Sequence, residues 1–181
     1  FYFGQARFQM EDFEGAAAAF DEALKLSRPG EPFVDPAGGT DLAPRPDASK
    51  WPGVCLGARG FAEMRAGHFA EAEASLRRAL DEGDKPTHAL ELLAHVYRNW
   101  GLMLLNIGEE TEGRRRFAQH LEVLERLYAI APAIDEVEAA LSVAEYFEDE
   151  AVKEHWLPRR AAHAGESPRY LPEGPSFLTS S

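Results

Sequence analysis

The chain has 181 residues, 45% of them hydrophobic, and a formal net charge of −12. That length supports one domain with a continuous core, and the acidic balance repels phosphate backbones and anionic headgroups, which argues against nucleic acid or bare membrane and for a protein surface of basic character. The single cysteine, Cys55, rules out an internal disulfide framework, and no uninterrupted apolar run reaches the roughly eighteen residues that a membrane span needs.

The first helical pair is expected over residues 1–27, ending at Ser27-Arg28-Pro29-Gly30. An insertion over residues 29–53 follows. Pro29, Pro32, Pro36, Pro44, Pro46 and Pro52, with Gly38-Gly39 between them, exclude helix there. Its apolar residues, Phe33 and Trp51 among them, are suited to docking on the domain or on a partner, and an idle tether fits equally well.

A second pair runs from Val54 to Glu82 and stops at Gly83-Asp84-Lys85-Pro86. The next helix reads from Pro86 to Asn106, with about two extra turns at its start, and its partner reads from Glu110 to Ile130. Phe117, Leu121, Leu124 and Leu127 stand at helical spacing on that partner, which ends before Pro132. Ile134, Val137, Leu141, Ala144 and Phe147 form one stripe of a further helix, apolar on one side and acidic on the other, as a capping helix would be. Ala151 to Leu157 reads as one or two more turns before Pro158. The helical domain so defined covers residues 1–164, and residues 165–181 read as an extended tail in which Tyr170 and Phe177 are candidate docking residues.

One constellation recurs at a constant register: Gly4, Ala16, Phe20 and Ala23; Gly60, Ala72, Leu76 and Ala79; Gly101, Gly113, Phe117 and His120. Glycine inside an apolar helix costs about 1 kcal/mol against Ala, so its recurrence points to close helix approach, with the bulky residue acting as a knob on the facing helix. Between the helices fall Glu11-Asp12-Phe13, Gly67-His68-Phe69 and Gly108-Glu109-Glu110, where Gly67 and Gly108 suit the positive φ that ends a helix. The pattern resembles the tetratricopeptide repeat. It departs from that family at Arg7 and Glu63, where the family has Tyr, at Glu110, which replaces an aromatic residue, and at Gly113 and His120, which replace alanines. The resemblance implies an all-α, right-handed superhelical solenoid of antiparallel helix pairs, with about three repeats and a capping helix, that binds other proteins.

The residues supply no chemistry of their own. His68, His88, His95, His120, His155 and His163 form no H-E-x-x-H pair or zinc-spaced Cys/His cluster. No phosphate loop, nucleophile elbow or calcium loop is present. No catalytic residue, metal or cofactor is therefore expected. Cys55 reads as a small core residue, and the Arg77-Arg78 and Arg114-Arg115-Arg116 runs alternate with acidic neighbours, as solvated faces do.

Carried over from the family, the concave groove would be lined by Gln5 and Phe8 from the first pair and by Phe61, Met64 and Arg65 from the second. His95, Arg98, Asn99, Leu102 and Asn106 come from the third. Such a mixture suits an extended peptide or a helix. The family's clamp for acidic chaperone tails needs Lys, Asn and Arg where this chain has Phe1, Gln5, Ala58, His95 and Asn99, so a terminal carboxylate would be buried unpaired. The expected function is thus a non-catalytic protein interaction or scaffold module of the cytoplasm. Two alternatives are a constitutive subunit of a larger assembly, docking through the insertion and tail, and the recognition region of an enzyme whose catalytic domain lies upstream. The chain begins at Phe1 rather than Met and reads as a fragment or processed product, which leaves export open as a second compartment.

Overall fold

The computed structural model describes residues 1–26, 51–83 and 86–168. Among these residues the chain is all-helical and has no strand. The elements are α1 (Tyr2–Gln9), α2 (Phe13–Leu26), α3 (Trp51–Arg65), α4 (Phe69–Glu82), α5 (Pro86–Asn106), α6 (Glu110–Ile130), α7 (Ile134–Tyr146) and α8 (Glu150–Ala162). Phe33, Tyr170, Phe177 and the side chain of Trp51 lie outside the described residues.

Four turns share one backbone geometry. Glu11 (φ 60°), Gly67 (φ 82°), Gly108 (φ 84°) and Glu148 (φ 54°) each occupy the left-handed region after a first helix. Behind each, the following N–H reaches back five residues. Asp12 donates to the Arg7 carbonyl at 3.0 Å, His68 to Glu63 at 2.9 Å, Glu109 to Leu104 at 2.9 Å and Asp149 to Ala144 at 2.8 Å. These bonds satisfy carbonyls that a helix end would otherwise leave unpaired. Where Glu replaces Gly in the left-handed position, an Asp follows and caps the next helix: Asp12 accepts from the Gly15 N–H at 3.0 Å and Asp149 from the Val152 N–H at 3.1 Å.

The fourth turn corrects the expected C-terminal end. Where the sequence reads a lone capping helix with one or two further turns, α7 and α8 form a full pair. Helix α8 also runs through Pro158, where a stop was expected. Pro158 and Glu154 are both exposed, so the carbonyl that proline leaves without a donor has access to water. A second correction concerns the insertion: α3 begins at Trp51, taking in Pro52 and Gly53. Proline is tolerated in a first turn, whose N–H groups have no helical acceptor, and Gly53 lies against Gly83, just past α4, where an added Cβ would stand 2.6 Å from the Gly83 Cα.

The chain divides into two compact units, Phe1–Val96 and Tyr97 onward, with the division inside α5. In the first unit α2 buries Ala16, Phe20 and Ala23, and α4 buries Ala72, Ser75, Leu76 and Ala79. Ala16 and Phe20 pack with Ala62 of α3, while Ala89, from the extra turns of α5, packs with Leu56 and Ala79. Those extra turns therefore supply a fifth wall to this core. Cys55 is wholly buried beside Ala23. In the second unit α6 buries Phe117, His120, Val123, Leu124 and Leu127, α7 buries Ile134, Val137, Ala140, Val143 and Ala144, and α8 buries Trp156. Each such large apolar side chain contributes about 1.5 to 3 kcal/mol relative to exposure.

The recurrent glycines sit where the pattern requires close approach. A Cβ on Gly4 would stand 2.8 Å from the Phe20 ring, one on Gly60 2.6 Å from Leu76 Cγ, and one on Gly101 2.8 Å from the Phe117 ring. Three first helices thus rest a bare backbone on a knob of the second.

Candidate functional site

The sequence-predicted groove residues of the first unit gather where α1 meets α3. The rings of Phe8 and Phe61 stack with centroids 5.0 Å apart, and Phe13 meets Phe8 edge-on at 5.1 Å. Arg65 completes the group, its guanidinium 4.8 Å from the Phe13 centroid and 5.9 Å from that of Phe8. Offset aromatic pairs and cation–π contacts of this kind contribute about 0.5 to 1.5 kcal/mol apiece. Gln5, one turn before Phe8, is exposed, as is Arg65. Met64 differs from its expected role: at 7% exposure it belongs to the core and has little surface to offer a ligand. Phe8 and Phe61 also hold α1 to α3, so they serve packing as well as surface.

Beside this group an open hollow of about 380 Å³ is lined by Glu11, Asp12, Phe13, Glu14, Arg65 and Ala66. Its rim is mainly acidic, and Asp12 is already engaged by the Arg7 guanidinium at 2.7 Å.

His95 is exposed and falls in the first unit. In the second unit Arg98, Asn99 and Leu102 are half-buried and Asn106 is exposed. On α5, Arg98 and Leu102 flank the line of Gly101 and Leu105 that faces α6, and Asn99 and Asn106 lie farther round the helix.

Two polar arrangements escaped the sequence reading. In the first unit Glu63, 5% exposed, accepts hydrogen bonds from Ser75 Oγ and from Arg59 Nε, both at 2.7 Å. Arg59 continues to Asp21 of α2 at 2.6 Å, and Asp21 pairs with Lys25 at 2.7 Å. The Lys25 hydrogen bond, with Arg59 close by, holds the Asp21 carboxyl below its usual range. Two of the departures from the tetratricopeptide pattern thus have partners: Glu63 is satisfied by Arg59 of its own helix and Ser75 of α4, and Arg7 by Asp12. In the second unit Glu125 of α6 accepts from His155 Nε2 and from Arg159, the latter at 2.7 Å. Burial alone would raise the Glu125 pKa, but the Arg159 and His155 hydrogen bonds outweigh it and the carboxyl lies lower than usual. Tyr128 adds an edge contact to Trp156 at 5.7 Å and a hydrogen bond with His163 Nε2 at 3.2 Å, so α8 is fastened to α6 by ionic, aromatic and polar contacts together.

The arginine runs are neutralised locally. Arg114 pairs with Glu110 at 3.0 Å, Arg115 with Glu112 at 3.3 Å, and Arg116 with Glu112 at 2.8 Å while stacking over Trp100 at 3.5 Å. Burial pushes the Cys55 thiol up to about 11, which leaves it protonated and inert at neutral pH. Among the described residues no three His, Cys, Asp or Glu side chains gather at metal-binding distance. No described helix is long and apolar enough to cross a membrane.

Compared with protein-family models, with curated proteins and with solved structures, the chain finds no match.

Proposed function

We propose that this chain is a non-catalytic protein interaction module built from tetratricopeptide-like helix pairs, and that it holds a peptide or helix of basic character against the α1–α3 face of its first unit. A right-handed superhelical stacking of the pairs belongs to the same proposal. The observation that carries it is the repetition itself: four turns with one left-handed residue and one five-residue return bond, and three glycines each seated on the knob of the facing helix. Repeated pairs of this kind cannot bury their faces alone and generate extended surfaces suited to partner capture rather than to a single reaction centre. Gln5 and Arg65 supply exposed polar groups around the Phe8–Phe61 stack, and the acidic rim of Glu11 and Glu14 favours a cationic partner.

Affinity purification of the protein from its native cells, beside a Gln5→Ala, Glu14→Lys variant, tests this reading. Both residues are exposed, so the helical signal should be unchanged in the variant. A stoichiometric partner that the variant loses supports the proposal. A partner retained in full moves the contact to another surface and defeats the assignment of this face.

A further inference from the structure

Of the four left-handed turns, only the one between α7 and α8 has no glycine within five residues of its left-handed position. The second and third turns use Gly67 and Gly108 themselves, and the first has Gly15. From Ala144 to Lys153 the chain has neither glycine nor proline, so every residue there can continue a helix. Glu148, by contrast, sits at φ 54°, a conformation disfavoured for an L-residue. Running α7 straight into α8 would release that strain and add helical hydrogen bonds across the turn. The first turn shares the left-handed glutamate, but there Arg7 on Asp12 and Phe8 on Phe13 tie the two helices together.

We propose that α7 and α8 open into one continuous helix and that two copies of this chain exchange α8 about a twofold axis through the turn. The contacts of α8 within one copy select this partner. Trp156 packs edge-on against Tyr128 at 5.7 Å, Arg159 and His155 engage Glu125, and His163 bonds to Tyr128. Arg160 reaches Glu138 of α7 at 2.7 Å, and these two lie eleven residues on either side of Asp149, the spacing of an antiparallel pair centred on the turn. A second copy carries the same α6 and α7 surface, so α8 of one copy remakes each of these contacts on the other. Trp156 is the only residue of α8 that is buried, which limits what must break for the helix to leave. Charge opposes the exchange. In the dimer Glu145, Glu148, Asp149 and Glu150 of both copies gather near the axis and repel one another. The device is thus a conformational switch, held off at low ionic strength and favoured as salt screens the axis. It goes beyond the binding module proposed above and does not depend on that module's partner.

Size-exclusion chromatography with light scattering tests the inference on the full chain, concentrated at low and at high salt after brief exposure to mild urea. Dimer should increase with both concentration and salt. Glu148→Ala keeps the strain of the bend and favours the straight helix, whereas Glu148→Gly relieves the bend and disfavours the helix. Each dimer holds two such positions, so the dimerisation constant should be at least about tenfold higher for Glu148→Ala than for Glu148→Gly. Mixing Glu125→Arg with Arg159→Glu copies separates exchange from simple association, with circular dichroism confirming that both variants fold. In the exchanged heterodimer the altered α6 receives the altered α8 and opposite charges meet again, while the other site is unchanged, so the mixture should form more dimer than either variant alone. A chain that stays monomeric under all these conditions overturns the inference. So do equal constants for the two Glu148 variants, or a mixture that dimerises no better than its components.

Discussion

The Glu63 carboxylate, enclosed between α3 and α4, accepts from Ser75 Oγ at 2.7 Å, across twelve residues of sequence and one turn. Arg59 supplies the second bond, so removing either donor leaves buried carboxylate capacity unmet. Ser75→Ala should destabilise by about 1 to 2 kcal/mol, and Arg59→Met by about 2 to 3 kcal/mol because it also strands the charge. In a double-mutant cycle in urea, the pair should depart from additivity by at least ~0.5 kcal/mol. Strict additivity would mean that the two donors act independently.

Glu11 and Glu148 hold a left-handed conformation that costs an L-residue about 1 to 2 kcal/mol, partly offset by the stiffer unfolded chain relative to glycine. Glu148→Gly should therefore raise stability by about 0.5 kcal/mol, while Gly67→Ala and Gly108→Ala should lower it by about 1 kcal/mol. Thermal unfolding of the three variants gives the signs directly. A destabilising Glu148→Gly would argue against the left-handed turn at that position.

Acid should weaken the fold through two carboxylates. Asp21 and Glu125 both titrate below their ordinary values of 3.8 and 4.5. A lowered folded-state pKa gives stabilisation that is complete above the ordinary value and is lost as pH falls through the folded one. Urea midpoints should thus hold steady as neutral solution is acidified and fall once those ordinary values are passed. Asp21→Asn and Glu125→Gln should each flatten the acid limb. An unchanged limb would show that neither ion pair persists in solution.

Cys55 should resist thiol reagents in the native protein at neutral pH and react only as the protein unfolds, because its thiol is fully buried and its pKa is pushed up to about 11. Modification as fast as that of the urea-unfolded chain would place Cys55 at the surface.

The helix pairs were legible where glycine, small residue and knob coincide, since close approach constrains those types strongly. The pair α7–α8 was not. At the matching positions it has Leu141, Lys153, Leu157 and Arg160, and it relies on Trp156 for burial, so the small-residue signal is lost while the backbone turn persists. Its remaining mark is Glu148-Asp149, which repeats Glu11-Asp12. Phe8, Phe61 and Arg65 meet one another, whereas Met64 turns inward, because a helix residue beside a groove position is separated from the core by only a small rotation. The Ser75–Glu63–Arg59–Asp21 chain draws on three helices and has no local spacing by which to find it.

Two glycines of one helix test the central claim, that these helix pairs are one geometry repeated. An added Cβ at Gly57 meets nothing within 4 Å, whereas at Gly60 it would press on Leu76 Cγ at 2.6 Å. Alanine gains about 1 kcal/mol of helix propensity at either site, and at Gly60 overpacking of about 1 to 3 kcal/mol opposes it. Denaturant unfolding of Gly57→Ala and Gly60→Ala should therefore give shifts of opposite sign, with Gly57→Ala more stable than the parent and Gly60→Ala less stable. If both stabilise the protein, α3 does not rest on the Leu76 knob, and the repeated packing on which the account stands is wrong.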